Sequence, residues 1–260
     1  MSQVYDDAGS GSAVVLLHGY PFDHSMWAEQ LDFLSARGYH VTAPDLPGFG
    51  VSLNQTDRTI TTMEDMARHV GASMDKLGVL DATICGLSMG GYVAFEFVRL
   101  FPQRVRALVL AGTRAPADNE QEKQARAQQV EQMLAKGTGD IAGATLSKLL
   151  APRTLAEKPA VAAQVREMIL RADARGAAAA QRGMAARRDY SADLPGINVP
   201  ALIIVGRQDP IRPVADAEFM HQGLNKSRLE IIEDAAHMTN LEQPGTFNHV
   251  LTSFLQTAVG

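Results

Sequence analysis

The chain has 260 residues, is 46% apolar and carries a formal charge of −5 with no long basic run; this fits one α/β domain with a sizeable core and argues against nucleic acid or a membrane surface as a partner. A lone cysteine, Cys85, excludes an internal disulfide and fits a reducing compartment, and no apolar run is long enough to cross a bilayer. The opening residues, MSQVYDDAGSGS, lack the basic and apolar regions of a signal peptide, so a cytoplasmic protein is expected.

Taken in order, AVVLLHG, HVTAP, ATICG, ALVLAG, ALIIVG and LEIIED are short, continuous, partly β-branched runs bounded by Gly, Pro or polar residues. Such runs read as strands buried on both faces. Between them lie amphipathic stretches of helical length. MEDMARHVGASMDKLG should stop at Gly78, GGYVAFEFVRLFP before Pro102, and PGTFNHVLTSFLQ closes the chain. Strands alternating with helices imply a mostly parallel sheet with helices on both faces.

From Ala115 to Asp193 the alternation stops. Helix formers dominate, with interruptions at Gly137, Gly139, Pro152 and Pro159. Apolar residues keep helical spacing in ATLSKLL and VREMIL, so several short helices are expected rather than a linker. The predicted organisation is an α/β core over 1–114 and 194–260 with an all-helical insertion over 115–193.

Gly86-Leu87-Ser88-Met89-Gly90 stands where a strand meets a helix. A serine hydroxyl attacks a carbonyl only when a base takes its proton and donors receive the charge formed on the carbonyl oxygen. G-x-S-x-G between strand and helix is the nucleophile elbow, in which a strained backbone presents the serine and the glycines let strand and helix approach. Ser88 is therefore the candidate nucleophile, and the Met89 amide points where an oxyanion would form. The loop after the first strong strand, LLHGYPFDHSMW, offers the Tyr20 amide as second donor.

The chain has seven histidines. His40 begins a strand, while His69, His221 and His249 fall in helices. His18 reads as a structural brace of its loop. His24 either lines a pocket or caps the helix beginning near Ser25. His237 differs: it follows the last strand, in IIEDAAHMTNLEQP, on a loop at the carboxyl end of the sheet where functional groups gather. An acid should orient that imidazole. Asp209, in ALIIVGRQDPIRP, fits the Ser-Asp-His chain order, with Asp118 and Asp234 as rivals.

The segments HGYPFDHSMW, APDLPGFGVS, GLSMGGYVAFEF, GRQDPIRP and AAHMTNLEQP together resemble the α/β-hydrolase superfamily, and among its members the small bacterial enzymes similar to 3-oxoadipate enol-lactonases and related carboxylesterases. The resemblance covers nearly the whole chain. It implies Ser88 as nucleophile, Asp209 as acid, His237 as base, Tyr20 and Met89 as oxyanion amides, and the helical insertion as a cap over the site. It implies no cofactor or metal and a small-molecule ester or lactone as substrate. One departure is visible: the family opens with a pair of antiparallel edge strands, whereas here Gln3–Tyr5 is the only stretch before Ala13 that suits pairing.

Ester or lactone hydrolysis leads. C–C bond hydrolysis and acyl transfer to peroxide or an alcohol use the same triad, and a non-catalytic receptor on this scaffold has no need of all three residues. Ser88 argues against haloalkane dehalogenation, where the family has an aspartate. The inserted segment lacks aromatics before Tyr190, so flexible apolar walls are expected, with Met133, Met168 and Met184 foremost and Val130, Leu134, Leu146, Val165 and Ile169 behind them. Arg182, Arg187 and Arg188 are candidates to hold an anionic substrate, although solvent is the commoner place for such side chains.

Overall fold

The computed structural model describes residues 5–55 and 59–258. Among the described residues seven strands form one sheet: β1 (Tyr5–Ala8), β2 (Ala13–Leu17), β3 (His40–Pro44), β4 (Ala82–Leu87), β5 (Val105–Ala111), β6 (Ala201–Gly206) and β7 (Ser227–Ile232). Their spatial order is β1-β3-β2-β4-β5-β6-β7. Strands β2 to β7 run parallel, and β1 pairs antiparallel with β3 at the edge, Tyr5 opposite Pro44 and Ala8 opposite Val41. The six apolar runs are the six parallel strands. The edge strand was expected over Gln3–Tyr5 and instead covers Tyr5–Ala8; Gln3 and Val4 lie outside the described residues. Backbone pairing alone defines β1, because its YDDA sequence carries no apolar alternation.

Central strands β4 and β6 are buried along their whole length. Alternate side chains face opposite ways from a strand, and here they feed two cores. Val15, Leu17, Ile84, Leu108, Leu110, Ile203 and Val205 pack with α2 (Met63–Lys76) and α3 (Met89–Leu100). Val14, Leu16, Cys85, Leu87, Val109, Leu202 and Ile204 pack under α1 (Ala28–Ser35) and α11 (Pro244–Ala258). Helix α2 starts at a capping box, Thr62 with Asp65, and ends before Gly78, whose φ of +69° is the left-handed turn that follows a helix. Helix α3 ends at Leu100, ahead of Pro102.

Between β5 and β6 the chain forms α4 (Glu120–Lys136), α5 (Gly139–Leu149), α6 (Pro152–Glu157), α7 (Pro159–Arg171) and α8 (Ala174–Ala185), with no strand among the described residues. The breaks act in two ways. Gly137 ends α4 at φ +76°. Pro152 and Pro159 instead open α6 and α7, where the missing N–H costs nothing. Helix α4 packs on α8, and α5 on α7. The remaining helices, α9 (Val214–Gly223) and α10 (Thr239–Glu242), lie between β6 and β7 and between β7 and α11. Among the described residues, no helix is long and apolar enough to cross a membrane.

Candidate active site

Ser88 stands between β4 and α3 at φ +57° and ψ −111°, a region that side-chain-bearing residues occupy only under constraint. The constraint is visible. Its N–H bonds the Ala111 carbonyl at 2.8 Å, and its own carbonyl accepts from Gly91 N–H at 3.0 Å and from the Thr113 hydroxyl at 2.9 Å. The flanking glycines are required by contact. A Cβ on Gly86 would lie 2.1 Å from the Gly90 carbonyl oxygen, and one on Gly90 would lie 2.2 Å from the Leu17 oxygen. Gly86→Ala is expected to cost about 4 kcal/mol or more, because backbone and not a flexible side chain must give way; thermal melting of the variant checks this.

The loops after β2, β4, β6 and β7 meet at the carboxyl edge of the sheet. Asp209, after β6, places Oδ2 2.7 Å from Nδ1 of His237, after β7, and its Oδ1 accepts the N–H groups of Ile211 and Arg212 at 2.8 and 2.9 Å. Both side chains are buried. His237 and Ser88 border one cavity of about 450 Å³ together with Tyr20. The rivals for the acid are engaged by arginines, Asp118 although it borders the same cavity. Asp118 binds Arg114, Arg126 and Arg187, and Asp234 binds Arg153.

The His237 loop is tied to the inserted helices. The N–H groups of His237 and Met238 both donate to the Leu149 carbonyl at 3.1 Å. Glu242, fully buried, accepts Ala236 N–H on one oxygen at 2.8 Å, and Ala151 N–H and the Thr154 hydroxyl on the other at 2.6 and 2.7 Å. Burial raises its pKa above the usual carboxylate value, against the pull of these donors. One side chain thus joins the turn carrying His237 to the start of α6. The carboxylate in NLEQP gave no sign of this, since its partners lie far off in sequence.

His18 is a brace. Its Nε2 accepts Leu46 N–H at 2.9 Å and its Nδ1 lies 2.9 Å from the Gly19 oxygen, partners that assign a neutral Nδ1–H ring; burial lowers its pKa. His24 does not border the cavity. Asp45 Oδ1 takes both its N–H and its Nδ1 at 2.8 Å, and the turn is capped by Asp23, which accepts Ser25 N–H at 3.0 Å.

The walls differ from the apolar lining expected. Of the three methionines only Met184 borders the cavity. Met133 is fully buried in the core with its sulfur receiving the Tyr20 hydroxyl at 3.6 Å, and Met168 is buried with Val165 and Ile169 in the opposite core. Helical spacing points a side chain at a core or at a pocket with the same pattern, so the sequence did not separate them. The walls carry Glu122, Arg126, Gln129, Lys148 and Gln181 from the inserted helices, and Tyr92 and Arg212 from the sheet side. Met133→Ala and Met168→Ala are each expected to destabilise by about 2–5 kcal/mol without changing acyl-chain preference, and Met184→Ala to shift the preference; melting curves beside kcat/KM for an acyl series distinguish them.

The three arginines marked for an anion lie off the cavity. Arg187 is buried against Asp118 at 2.7 Å, Arg182 donates to the Thr59 carbonyl, and Arg188 pairs with Asp193. Val130 borders a separate groove of about 520 Å³ between α4 and α8, which neither Ser88, Asp209 nor His237 touches.

Residues 12–244 match the family described as the alpha/beta hydrolase fold. The chain is 31% identical over 232 residues to 3-oxoadipate enol-lactonase 2 of Acinetobacter baylyi, covering 89% of this chain and 84% of that protein. Among solved structures, a thermophilic esterase from Thermogutta terrifontis superposes with a TM-score of 0.94 at 36% identity, covering 98% and 93% of the two chains. The enol-lactonase from Burkholderia xenovorans superposes at 0.89 with 27% identity, covering 97% and 95%. With the elbow, the parallel sheet and these matches in hand, the chain is an α/β-hydrolase and belongs to the alpha/beta hydrolase fold family.

Proposed function

We propose that the protein hydrolyses a small to medium carboxylic ester or lactone through an acyl-enzyme. Ser88 Oγ attacks the carbonyl carbon and gives its proton to His237 Nε2. Asp209 holds Nδ1–H and stabilises the imidazolium. The carbonyl oxygen, now an oxyanion, is received by the backbone N–H groups of Met89 and Tyr20; Met89 is the first residue of α3, so its N–H has no partner within the helix. Collapse breaks the bond to the leaving oxygen, which takes the proton from His237. A water then attacks the acyl-enzyme, losing its proton to His237, and Ser88 is returned with release of the acid. The segment 115–193 acts as the cap, supplying walls to a cavity that would otherwise open to solvent.

The observation that carries the reading is the 2.7 Å contact between His237 Nδ1 and Asp209, with His237 and Ser88 on one cavity and Ser88 at the strained elbow. The activities of the relatives, enol-lactonase and esterase, support the same bond class. The test is a screen of p-nitrophenyl acetate and butyrate, a γ-lactone and a vinylogous 1,5-diketone against wild type and Ser88→Ala. Ester or lactone turnover that falls by about 10⁶-fold in the variant is the expected result. Turnover of the diketone alone, or activity that survives Ser88→Ala, would contradict it.

A further inference from the structure

Tyr92 lies four residues beyond Ser88 on α3, about 6 Å along the helix axis, and both residues border the cavity. Its side chain is buried, yet the groups around it are cations. Arg212 donates to the phenolic oxygen from Nη2 at 2.6 Å and from Nε at 3.1 Å. The Arg187 guanidinium sits 4.1 Å from the ring centroid. A phenol has one hydrogen and a limited acceptor capacity on its oxygen. Two N–H groups of Arg212 fill that capacity, so the phenolic hydrogen must turn away from the guanidinium. Arg212 itself borders the cavity, which puts the hydroxyl at the wall, and no protein acceptor takes its hydrogen among the described residues.

Burial alone would make this hydroxyl harder to ionise. The charges of Arg212, Arg187 and Arg126 outweigh burial and hold its pKa below the ordinary tyrosine value. A more acidic hydroxyl is a stronger donor. The donor is also well anchored, because the Arg212 N–H donates to Asp209 at 2.9 Å and the Arg212 Nη1 donates to the Ile211 carbonyl at 2.7 Å.

We propose that the Tyr92 hydroxyl, oriented by Arg212, is the specificity-determining donor of this cavity: it takes an acceptor oxygen on the acyl part of the substrate beyond the scissile carbonyl, and so selects keto- or carboxylate-bearing esters and lactones over plain alkyl ones. The inference rests on the reading of Ser88 as nucleophile. A site that donates to a substrate oxygen discriminates against the analogue without it far more than an apolar wall does, since the buried donor is then left unpaired.

The experiment compares three near-isosteric esters: ethyl pentanoate, ethyl levulinate and monoethyl succinate. For wild type, kcat/KM should favour the two oxygen-bearing esters. In Tyr92→Phe the ratio of each to ethyl pentanoate should fall on the order of 10–100-fold, mostly through KM. Arg212→Met, which frees the hydroxyl to rotate, should lose the selectivity for the neutral ethyl levulinate, where no anion responds to the lost guanidinium charge, and on that ester serves if Tyr92→Phe fails to fold. A fall confined to succinate assigns the acceptor as an anion, and a fall for both esters assigns it as any carbonyl oxygen. Unchanged ratios, or an equal fall on all three esters, would overturn the proposal. Calorimetric titration of levulinate and succinate into Ser88→Ala, with and without Tyr92→Phe, needs no turnover. If no ester is hydrolysed, the nucleophile reading fails, and the titration still decides: at least ten-fold tighter binding with Tyr92 present supports the donor, and equal affinity refutes it.

Discussion

Asp209→Asn is expected to lower kcat by about 10³–10⁴-fold while the fold survives. Asp209 spends one oxygen on His237 Nδ1 and the other on the N–H groups of Ile211 and Arg212. Asparagine is nearly isosteric, and its carbonyl oxygen keeps the two backbone bonds. That orientation turns the amide NH₂ toward Nδ1. Nδ1 must then accept, the proton moves to Nε2, and His237 cannot take the Ser88 proton. Steady-state kinetics beside a melting curve check this: kcat should fall by the stated factor with a melting temperature close to wild type. Near-wild-type activity in Asp209→Asn together with loss in Asp118→Asn would assign the acid to Asp118.

Asp118→Asn is expected to act on stability instead. The Asp118 side chain is 1% exposed and binds Arg114, Arg126 and Arg187 at 2.8, 2.5 and 2.7 Å. Arg114 keeps Glu122 and Arg126 keeps Gln181, but the fully buried Arg187 guanidinium loses its carboxylate, a loss of about 3–5 kcal/mol, or a melting temperature lower by roughly 10 °C for a chain of this size. The same cluster sets an acid limit. Burial would raise the Asp118 pKa, but the Arg126 hydrogen bond and charge, with Arg187, pull it from 3.8 down to about 2. A carboxylate held below its unfolded value stabilises the fold above that value. Its contribution, about 2–3 kcal/mol, is therefore intact above pH 4 and lost as pH falls from about 4 to about 2. Denaturant titrations at several pH values should show the gap between wild type and Asp118→Asn narrowing over that range.

What the sequence made legible is what local pattern encodes. The six parallel strands needed continuous apolar runs, and the elbow needed glycines at fixed offsets from Ser88. The placement of His237 and Asp209 followed from loops at the carboxyl ends of two strands. What stayed hidden depends on side-chain direction and on pairs distant in sequence. Met133 and Met168 show the same helical spacing as pocket residues, yet face cores. Tyr92 reads as one more aromatic of an apolar helix, and only the approach of Arg212, 120 positions away, makes it polar. His24 gave no hint of Asp45, nor Glu242 of Ala151. The edge strand Tyr5–Ala8 is fixed by backbone pairing to β3, which leaves no mark on side-chain alternation.

Whether Ser88 carries the acyl group is tested most directly by rapid-quench mass spectrometry with p-nitrophenyl acetate. Protein quenched within the first turnovers should carry one acetyl group, located on the peptide containing Ser88, with a matching burst of nitrophenol; Ser88→Ala should show neither. An acetyl group on another residue, or sustained turnover with no burst and Ser88 unmodified under conditions where deacylation has been slowed, would contradict the account.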